Sequence, residues 1–502
     1  MKLPLLGMLF LSLLVGTVLI WLLPRPHWTR YVALATSLFS LAITLVVVAS
    51  FDSAHPGFQL IVRLDWMPDL GIHYLIGIDG ISVLFLPATA LLFVGVILTS
   101  WNQLCLSPCT IPVIKKVTGW AGGGAARLYY SLLLLLETSI LGVLCALDTI
   151  LFFLCWELTL VPLFFLVRLW GIGAHRHHAA VKYTLVMLVG GVPLLFGFIL
   201  LAFHTGSTFD LPTLLITPLP PNIEIMVFFL LLLGFGVKIP LPPLHTWLPL
   251  IAMEGPIAAT VLLTGLKLGA YGLIRFAIPL APHAAREFHW LLAGLGTTGM
   301  LIGAIVALVQ TDLRRMLAYA SFSHVGLVVL GISSFNLQGI QGGVLQLLSF
   351  TLSTGGAFLL LDFLHNRTGT TAYRELGGVA HTLPLLASFL LLLEFAGMGI
   401  PGTSGFPGEL LILLAIFKTH AGAGITALFA VAVSAAYFLG IYRRVFFGPV
   451  VQRVVRESID LQPREVGVAL TIVFIVLVMG LFPAWWLDLI RPTAEIWVER
   501  LR

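Results

Sequence analysis

Six ionisable residues stand in the middle of long apolar runs: Glu137, Glu157, Lys238, Lys267, His324 and Glu409. A charge held at the centre of a bilayer costs at least about 2.5–3.5 kcal/mol. Six unpaired would cost at least about 15 kcal/mol, more than the net stability of a typical protein. These groups must therefore face one another or water. Glu, Lys and His take up and release protons as a partner charge comes or goes. A row of them inside a helix bundle is the composition of a proton path, expected to use Glu157, Lys238, Lys267, His324 and Glu409. Glu137 is a further candidate, as is His245, two helical turns after Lys238. His324 has the alternative of a neutral core histidine bonded to a backbone carbonyl. Arg168, Arg275 and Lys418 lie near the ends of apolar runs and read as snorkelling or paired structural charges. The run His175–Arg176–His177–His178 reads as a solvated turn.

Two segments beside these charges break helix rules. Lys238 is followed by Pro240, Pro242 and Pro243, and the stretch from Gly397 to Glu409 contains Pro401 and Pro407. Each proline removes a donor and frees carbonyls one turn back. Such backbone is tolerated at membrane depth only where it lines a polar cavity. Discontinuous helices at matching places in two halves mark an inverted-repeat transporter.

The elements that must carry these residues follow from composition. Of 502 residues, 59% are hydrophobic and 10% charged, with a mean hydropathy of +1.05. Soluble domains average about 25% charged residues, and a folded surface of this size could not hide so much apolar side chain. The chain is an integral membrane protein. Its net charge of +5 comes from scattered loop arginines, which excludes nucleic-acid binding. Windows of about 20 apolar residues predict fourteen spans near 3–23, 31–51, 78–100, 128–147, 149–167, 182–203, 225–250, 256–280, 288–309, 313–332, 339–365, 383–418, 422–447 and 465–487. The runs are continuous and twice as long as barrel strands, which excludes a β-barrel. The expected fold is an all-α polytopic bundle with two inverted five-helix repeats, spans 4–8 and 9–13, whose seventh and twelfth helices are broken. The chain then divides into an N-terminal three-helix segment (1–127), a first repeat (128–280), a second repeat (288–447) and a C-terminal loop and helix (448–502). Residues 3–23 read as a retained span, because no small-residue cleavage pattern follows them.

Basic residues set the orientation. Seventeen of the 27 lysines and arginines fall in loops opposite the termini and eight on the terminal side, with Lys238 and Lys267 left inside helices. The positive-inside rule then puts both termini on the positive side of the membrane. Cys105 and Cys109 form a lone CxxxC pair without further ligands, so no metal site is expected, and Cys145 and Cys155 read as packing residues. The glycine run within Ala121–Ala126 lacks the Lys–Ser/Thr of a phosphate loop. No nucleotide site, redox centre or cofactor is expected in this chain.

Several motifs, in order, resemble the antiporter-like membrane subunits of complex I, NAD(P)H-quinone oxidoreductase, of the chain 4 or subunit M type. They are Gly77–Ile78–Asp79–Gly80–Ile81–Ser82, Trp156–Glu157–Leu158, Lys238–Ile239–Pro240 with Pro243–Leu244–His245–Thr246–Trp247–Leu248–Pro249, Lys267–Leu268–Gly269–Ala270–Tyr271–Gly272, Tyr319 through Gly326, and Ser404–Gly405–Phe406–Pro407–Gly408–Glu409. The resemblance covers roughly residues 70–450. A glutamate at 409 favours chain 4, since chains 2 and 5 and the multisubunit antiporters usually carry lysine there. The family usually has Ser–His where this chain has Ser349–Phe350, and an Asp and a His where it has Leu250–Ile251–Ala252. Asp362 and His365, unusual for the family, stand elsewhere in the eleventh span.

The resemblance implies a proton-translocating subunit in an energy-transducing membrane, bacterial plasma membrane or thylakoid. Its partners would be other membrane-arm subunits, homologous antiporter-like ones included, and lipids. Quinone, plastoquinone in a thylakoid, would meet iron–sulfur clusters and any flavin in those partners. Glu157 and Lys238 would form a switchable ion pair, from which a proton passes to Lys267, His324 and Glu409. The rivals are a free-standing cation/proton antiporter, a scaffold whose charges are structural pairs, and a paralogue in a carbon-dioxide-uptake form of the complex.

Overall fold

The computed structural model describes residues 5–23, 25–101 and 123–501. Among them, twelve helices are long and apolar enough to cross a membrane, and two shorter apolar helices, Phe85–Thr99 and Pro384–Gly397, accompany them. The fourteen predicted segments fall on helix. The helix Leu337–Thr368 is the longest of the twelve and is buried on all sides. A helix without a solvent or lipid face needs no polar stripe, and its sequence mixes apolar residues with Gly, Ser and Thr. Asn336 caps its start by accepting from the Gly339 amide at 2.9 Å.

The chain folds into two compact units. One comprises Met1–Lys238, Leu268–Phe288 and Pro492–Arg502; the other comprises Ile239–Lys267 and His289–Arg491. The division of the chain therefore falls directly after Lys238 and directly after Lys267.

The fifth and tenth spans start from turns of one design. Asp148 caps the helix Thr149–Leu158 by accepting from the amides of Ile150 (2.9 Å) and Leu151 (2.8 Å). Around it, the Thr149 amide donates to the Phe209 carbonyl (2.9 Å) and the Leu211 amide to the Leu147 carbonyl (2.7 Å). Asp312 likewise caps Leu313–Ile332 through the amides of Arg314 (2.9 Å) and Arg315 (3.3 Å). There, Leu313 donates to Thr371 (3.0 Å) and Tyr373 to Thr311 (2.9 Å). A short side chain accepting two of the orphan amides is what a helix start needs. The eighth and thirteenth spans also share an ending, a single π-helical turn at Leu273–Ala277 and at Tyr442–Phe446. These paired devices stand at matching places in the two expected five-helix stretches.

Four features depart from the all-α reading. Residues Gln59–Met67 and Ile72–Ile78 form an antiparallel hairpin. Its first strand does not alternate, since Ile61, Leu64 and Trp66 are all exposed, so the period-2 signal that reveals a strand is missing. Gly71, at φ +68°, turns the hairpin, and a Cβ there would run into the Ser207 carbonyl. The third span is helical only over Phe85–Thr99, because the second strand takes its predicted start. The eighth span is broken as well, between Ile257–Gly265 and Leu268–Gly272, with Leu266 extended. The fourteenth helix stops at Leu481, and a separate helix, Pro483–Arg500, follows.

Candidate functional site

The first group is built around Lys238, the last residue of the helix Pro221–Lys238. The prolines that follow cannot continue it: Pro240, Pro242 and Pro243 lie in a turn, and helix resumes at Trp247. The Lys238 ammonium donates to the Thr159 hydroxyl at 3.0 Å and lies 3.9 Å from the centre of the Trp156 ring. Thr159 in turn donates to the Trp156 carbonyl at 2.7 Å. A desolvated cation over an indole face gains up to about 2 kcal/mol. No direct ion pair joins Lys238 to Glu157. Both Glu157 oxygens are buried without a hydrogen bond and abut Gly191, acting on Lys238 only through space. The expected switchable ion pair is here a separated one, with a neutral hydroxyl on the lysine. Thr159 is two residues past Glu157, one helical step toward the lysine, a position that the Trp–Glu–Leu motif did not flag.

Glu137 is 0% exposed and accepts from the Ser37 hydroxyl at 2.9 Å, leaving its other oxygen unbonded. Its neighbours are thus serines of the second span, Ser37 and Ser40, and the structure does not bring it to a hydrogen bond with Glu157 or Lys238.

The second group surrounds Lys267, the residue at the break in the eighth span. Its ammonium donates to the Thr264 carbonyl and to the Ser321 hydroxyl. The break therefore has no proline behind it. A freed carbonyl bonded to a cation offsets its own desolvation cost. Ser321 lies one turn before His324 on Leu313–Ile332. His324 is 5% exposed, stacks on Phe350 (centroids 4.0 Å apart, 7° between planes) and has neither ring nitrogen in a hydrogen bond of ordinary geometry. The Gly397 backbone lies against the ring, the kind of partner that the alternative of a histidine tied to the backbone expects. His245, expected on a helix with Lys238, lies in the turn instead and stacks on Phe322 (4.7 Å, 5°).

The third group surrounds Glu409, 6% exposed, in the helix Gly405–Thr419. The twelfth span stops at Gly397 and restarts at Gly405. Pro401 occupies the turn between. Pro407 lies in the first turn of the restarted helix, where no amide donor is missed, so it opens no carbonyl there as expected of it. The Gln346 amide donates to Glu409 Oε1 at 3.3 Å. The other carboxylate oxygen rests on Gly399, at φ +67°, where any Cβ would collide with it. Ser349 and Ser404 share a hydroxyl bond of 2.7 Å that ties the turn to the eleventh span.

Asp79, quoted above only within a motif, makes a buried ion pair with Arg275, and its Oδ1 caps Ile81 and Ser82. Arg275 is thus no snorkelling end; it is 5% exposed in the π turn of the eighth span. His73, Asp148 and Asp210 are clustered closely enough to suggest a metal. Their atoms are already engaged: Asp148 caps its helix and accepts from the His73 amide (3.1 Å), and Asp210 holds His73 Nδ1 (2.9 Å) and Arg63 (3.2 Å). The cluster reads as the clasp between hairpin and helix. Cys105 and Cys109 lie outside the described residues.

Residues 146–434, which contain all three groups, match the NADH:quinone oxidoreductase/Mrp antiporter transmembrane family. NADH-quinone oxidoreductase subunit M of Rhodobacter capsulatus is 33% identical over 484 residues, covering 94% of this chain and 90% of the relative. NAD(P)H-quinone oxidoreductase chain 4 of a Synechococcus strain is 35% identical over 496 residues, covering 96% and 90%. Among solved structures, a chain of respiratory complex I from Thermus thermophilus with bound NADH superposes with a TM-score of 0.87 at 32% identity, covering 98% of this chain and 100% of that one. Motifs, helix breaks and full-length likeness agree, and the chain belongs to the NADH:quinone oxidoreductase/Mrp antiporter family, with its subunit M, or chain 4, members as relatives along nearly its whole length.

Proposed function

We propose that this chain is a proton-translocating subunit of the membrane arm of an NADH- or NAD(P)H-quinone oxidoreductase, beside other antiporter-like subunits. It moves protons through a multi-pass helical bundle as quinone is reduced elsewhere in the complex. Relatives named subunit M and chain 4 support this over a free-standing antiporter. The redox groups belong to partner subunits, and no step here runs through them.

The steps in this chain are proton transfers. Glu157 stabilises the Lys238 ammonium through space, while Thr159 and Trp156 hold it in place. When Glu157 is neutralised or moves, that support is lost and Lys238 releases its proton toward Lys267. The Ser321 hydroxyl, which accepts from Lys267 and donates to the Thr264 carbonyl (3.3 Å), holds the ammonium one turn before His324, the next group of the path. Glu409 then releases it outward. The observation that carries this reading is the Lys238 ammonium, at a helix break, held by a neutral hydroxyl and an aromatic face rather than locked in a contact ion pair. Such a lysine loses its proton without first breaking a salt bridge.

The test uses inside-out vesicles holding the assembled complex with Lys238→Met or Glu157→Gln. Both should oxidise the electron donor while translocating far fewer protons per quinone reduced. A normal proton-to-electron ratio with Lys238→Met would sink the reading. Glu157→Asp should be milder, since it lengthens an already through-space interaction by one methylene.

A further inference from the structure

Among the described buried carboxylates that the path above does not use, Glu394 is the one that lines a cavity with a residue of that path, His324. Glu394 lies in the helix Pro384–Gly397, 2% exposed, with its Oε2 in no hydrogen bond. A carboxyl placed among leucines without a full set of partners is costly, so its position calls for a role. It lines a small cavity together with His324, Ser353, Thr354 and Gly397. About 10 Å³ of that cavity is open to the centre of a water molecule, close to what one ordered water needs.

The other groups around the cavity are also short of partners. The Ser353 hydroxyl is buried and unbonded, and the His324 ring has only the Gly397 backbone beside it. One face of His324 is covered by Phe350, parallel at 4.0 Å, which carries no proton. Beyond Glu394, the Tyr437 hydroxyl is buried without a hydrogen bond and feels the charge of both Glu394 and Glu409. Two proton-bearing side chains, His324 and Glu394, thus meet across the cavity in apolar surroundings, with Ser353 and Thr354 beside them.

We propose that Glu394 is a station of the proton path, exchanging a proton with His324 across this cavity. The imidazolium of His324 gives its proton to the Glu394 carboxylate, leaving a neutral ring and a neutral carboxylic acid, and no net charge is stranded. The Tyr437 hydroxyl, able to accept and donate together, continues the path toward Glu409. Phe350, stacked on one face, fixes the plane of the ring beside the cavity. The inference rests on the chain translocating protons at all, and Lys238→Met in the same assay separates the two ideas.

The experiment compares Glu394→Gln, Glu394→Asp and Lys238→Met in vesicles at matched content of assembled complex. Glu394→Gln keeps the shape but cannot cycle a proton; it should lose proton translocation per quinone reduced, and Glu394→Asp should recover part of it. The infrared difference spectrum between resting and turning-over complex should contain a protonated-carboxyl band that is absent in Glu394→Gln and displaced in Glu394→Asp. A merely structural glutamate would give no such band. If Glu394→Gln does not assemble, the band in the parent and its displacement in Glu394→Asp decide. Full translocation by Glu394→Gln while Lys238→Met has lost it overturns the station and leaves the function standing. Full translocation by both overturns the function itself.

Discussion

At the scale of single residues, Glu409 separates holding a structure from moving a proton. Its Oε1 accepts from the Gln346 amide, and its other oxygen lies on Gly399. An amide at 409 still offers an oxygen to Gln346, so Glu409→Gln should assemble to near the parental level. It should nevertheless block proton delivery, because an amide cannot cycle a proton. Glu409→Lys should keep some translocation, since the resembling antiporters usually carry lysine there. Dye-quench measurements on vesicles at equal complex content check both; parental pumping by the Gln variant would make Glu409 a structural partner only. The charges themselves were legible in the sequence, because a Glu or Lys inside twenty apolar residues has no bland explanation. Their neighbours were not. Thr159, Ser321 and Gln346 are ordinary polar residues in helices, and only packing reveals that each meets an ionisable head. Glu394 was passed over for a similar reason, lying a few residues before a Gly/Pro stretch that drew attention to Glu409 instead.

At the scale of elements, breaks in helices position the charges, and two of the three followed from proline. The third, at Lys267, has none; the lysine itself satisfies the carbonyl that the break frees. Sequence rules that look for helix breakers miss a break of this kind. The twelfth-span break offers a clean test. Gly399 and Gly402 both have positive φ, at +67° and +92°. Alanine at either should cost about 1–3 kcal/mol in backbone strain. Only at Gly399 would the new Cβ meet the Glu409 carboxylate; at Gly402 it would find no more than Leu481 Cδ2 at 3.9 Å. Gly399→Ala should therefore lower translocation per assembled complex, whereas Gly402→Ala should lower only the amount of complex that survives mild heating. Equal pumping by the two variants, each normalised to assembled complex, would show that the turn does not set the position of Glu409. The capped turns at Asp148 and Asp312, with their matching bridges, belong to this scale too. The sequence hid them because only the aspartates repeat, while Phe209–Leu211 and Thr371–Tyr373 share no residue type.

At the scale of the whole molecule, hydropathy predicts fourteen apolar segments, and the charge tally predicts the sides of their loops. With fourteen crossings the termini would share a side, and the seventeen-to-eight excess of basic residues predicts the positive side. The hairpin and the C-terminal helix Pro483–Arg500 do not disturb this, provided neither crosses the membrane. A strand of nine residues cannot cross alone without exposing backbone donors to lipid. The final helix carries Asp488, Arg491, Glu495, Glu499 and Arg500 within its eighteen residues, too many charges for a lipid span. Two exposed isoleucines report the sides: Ile459, before the helix Pro463–Leu481, and Ile216, before the helix Pro221–Lys238. On this topology, Ile459→Cys faces the inside and Ile216→Cys the outside. In a chain whose four cysteines are replaced by alanine, a membrane-impermeant thiol reagent should label Ile216→Cys in right-side-out vesicles and Ile459→Cys only in inverted ones. Reversed labelling of both would mean that the basic residues misreport the orientation. Labelling of both from the same side would mean that an even number of segments crosses between residues 216 and 459 instead of the expected seven, and the span count itself would have to change.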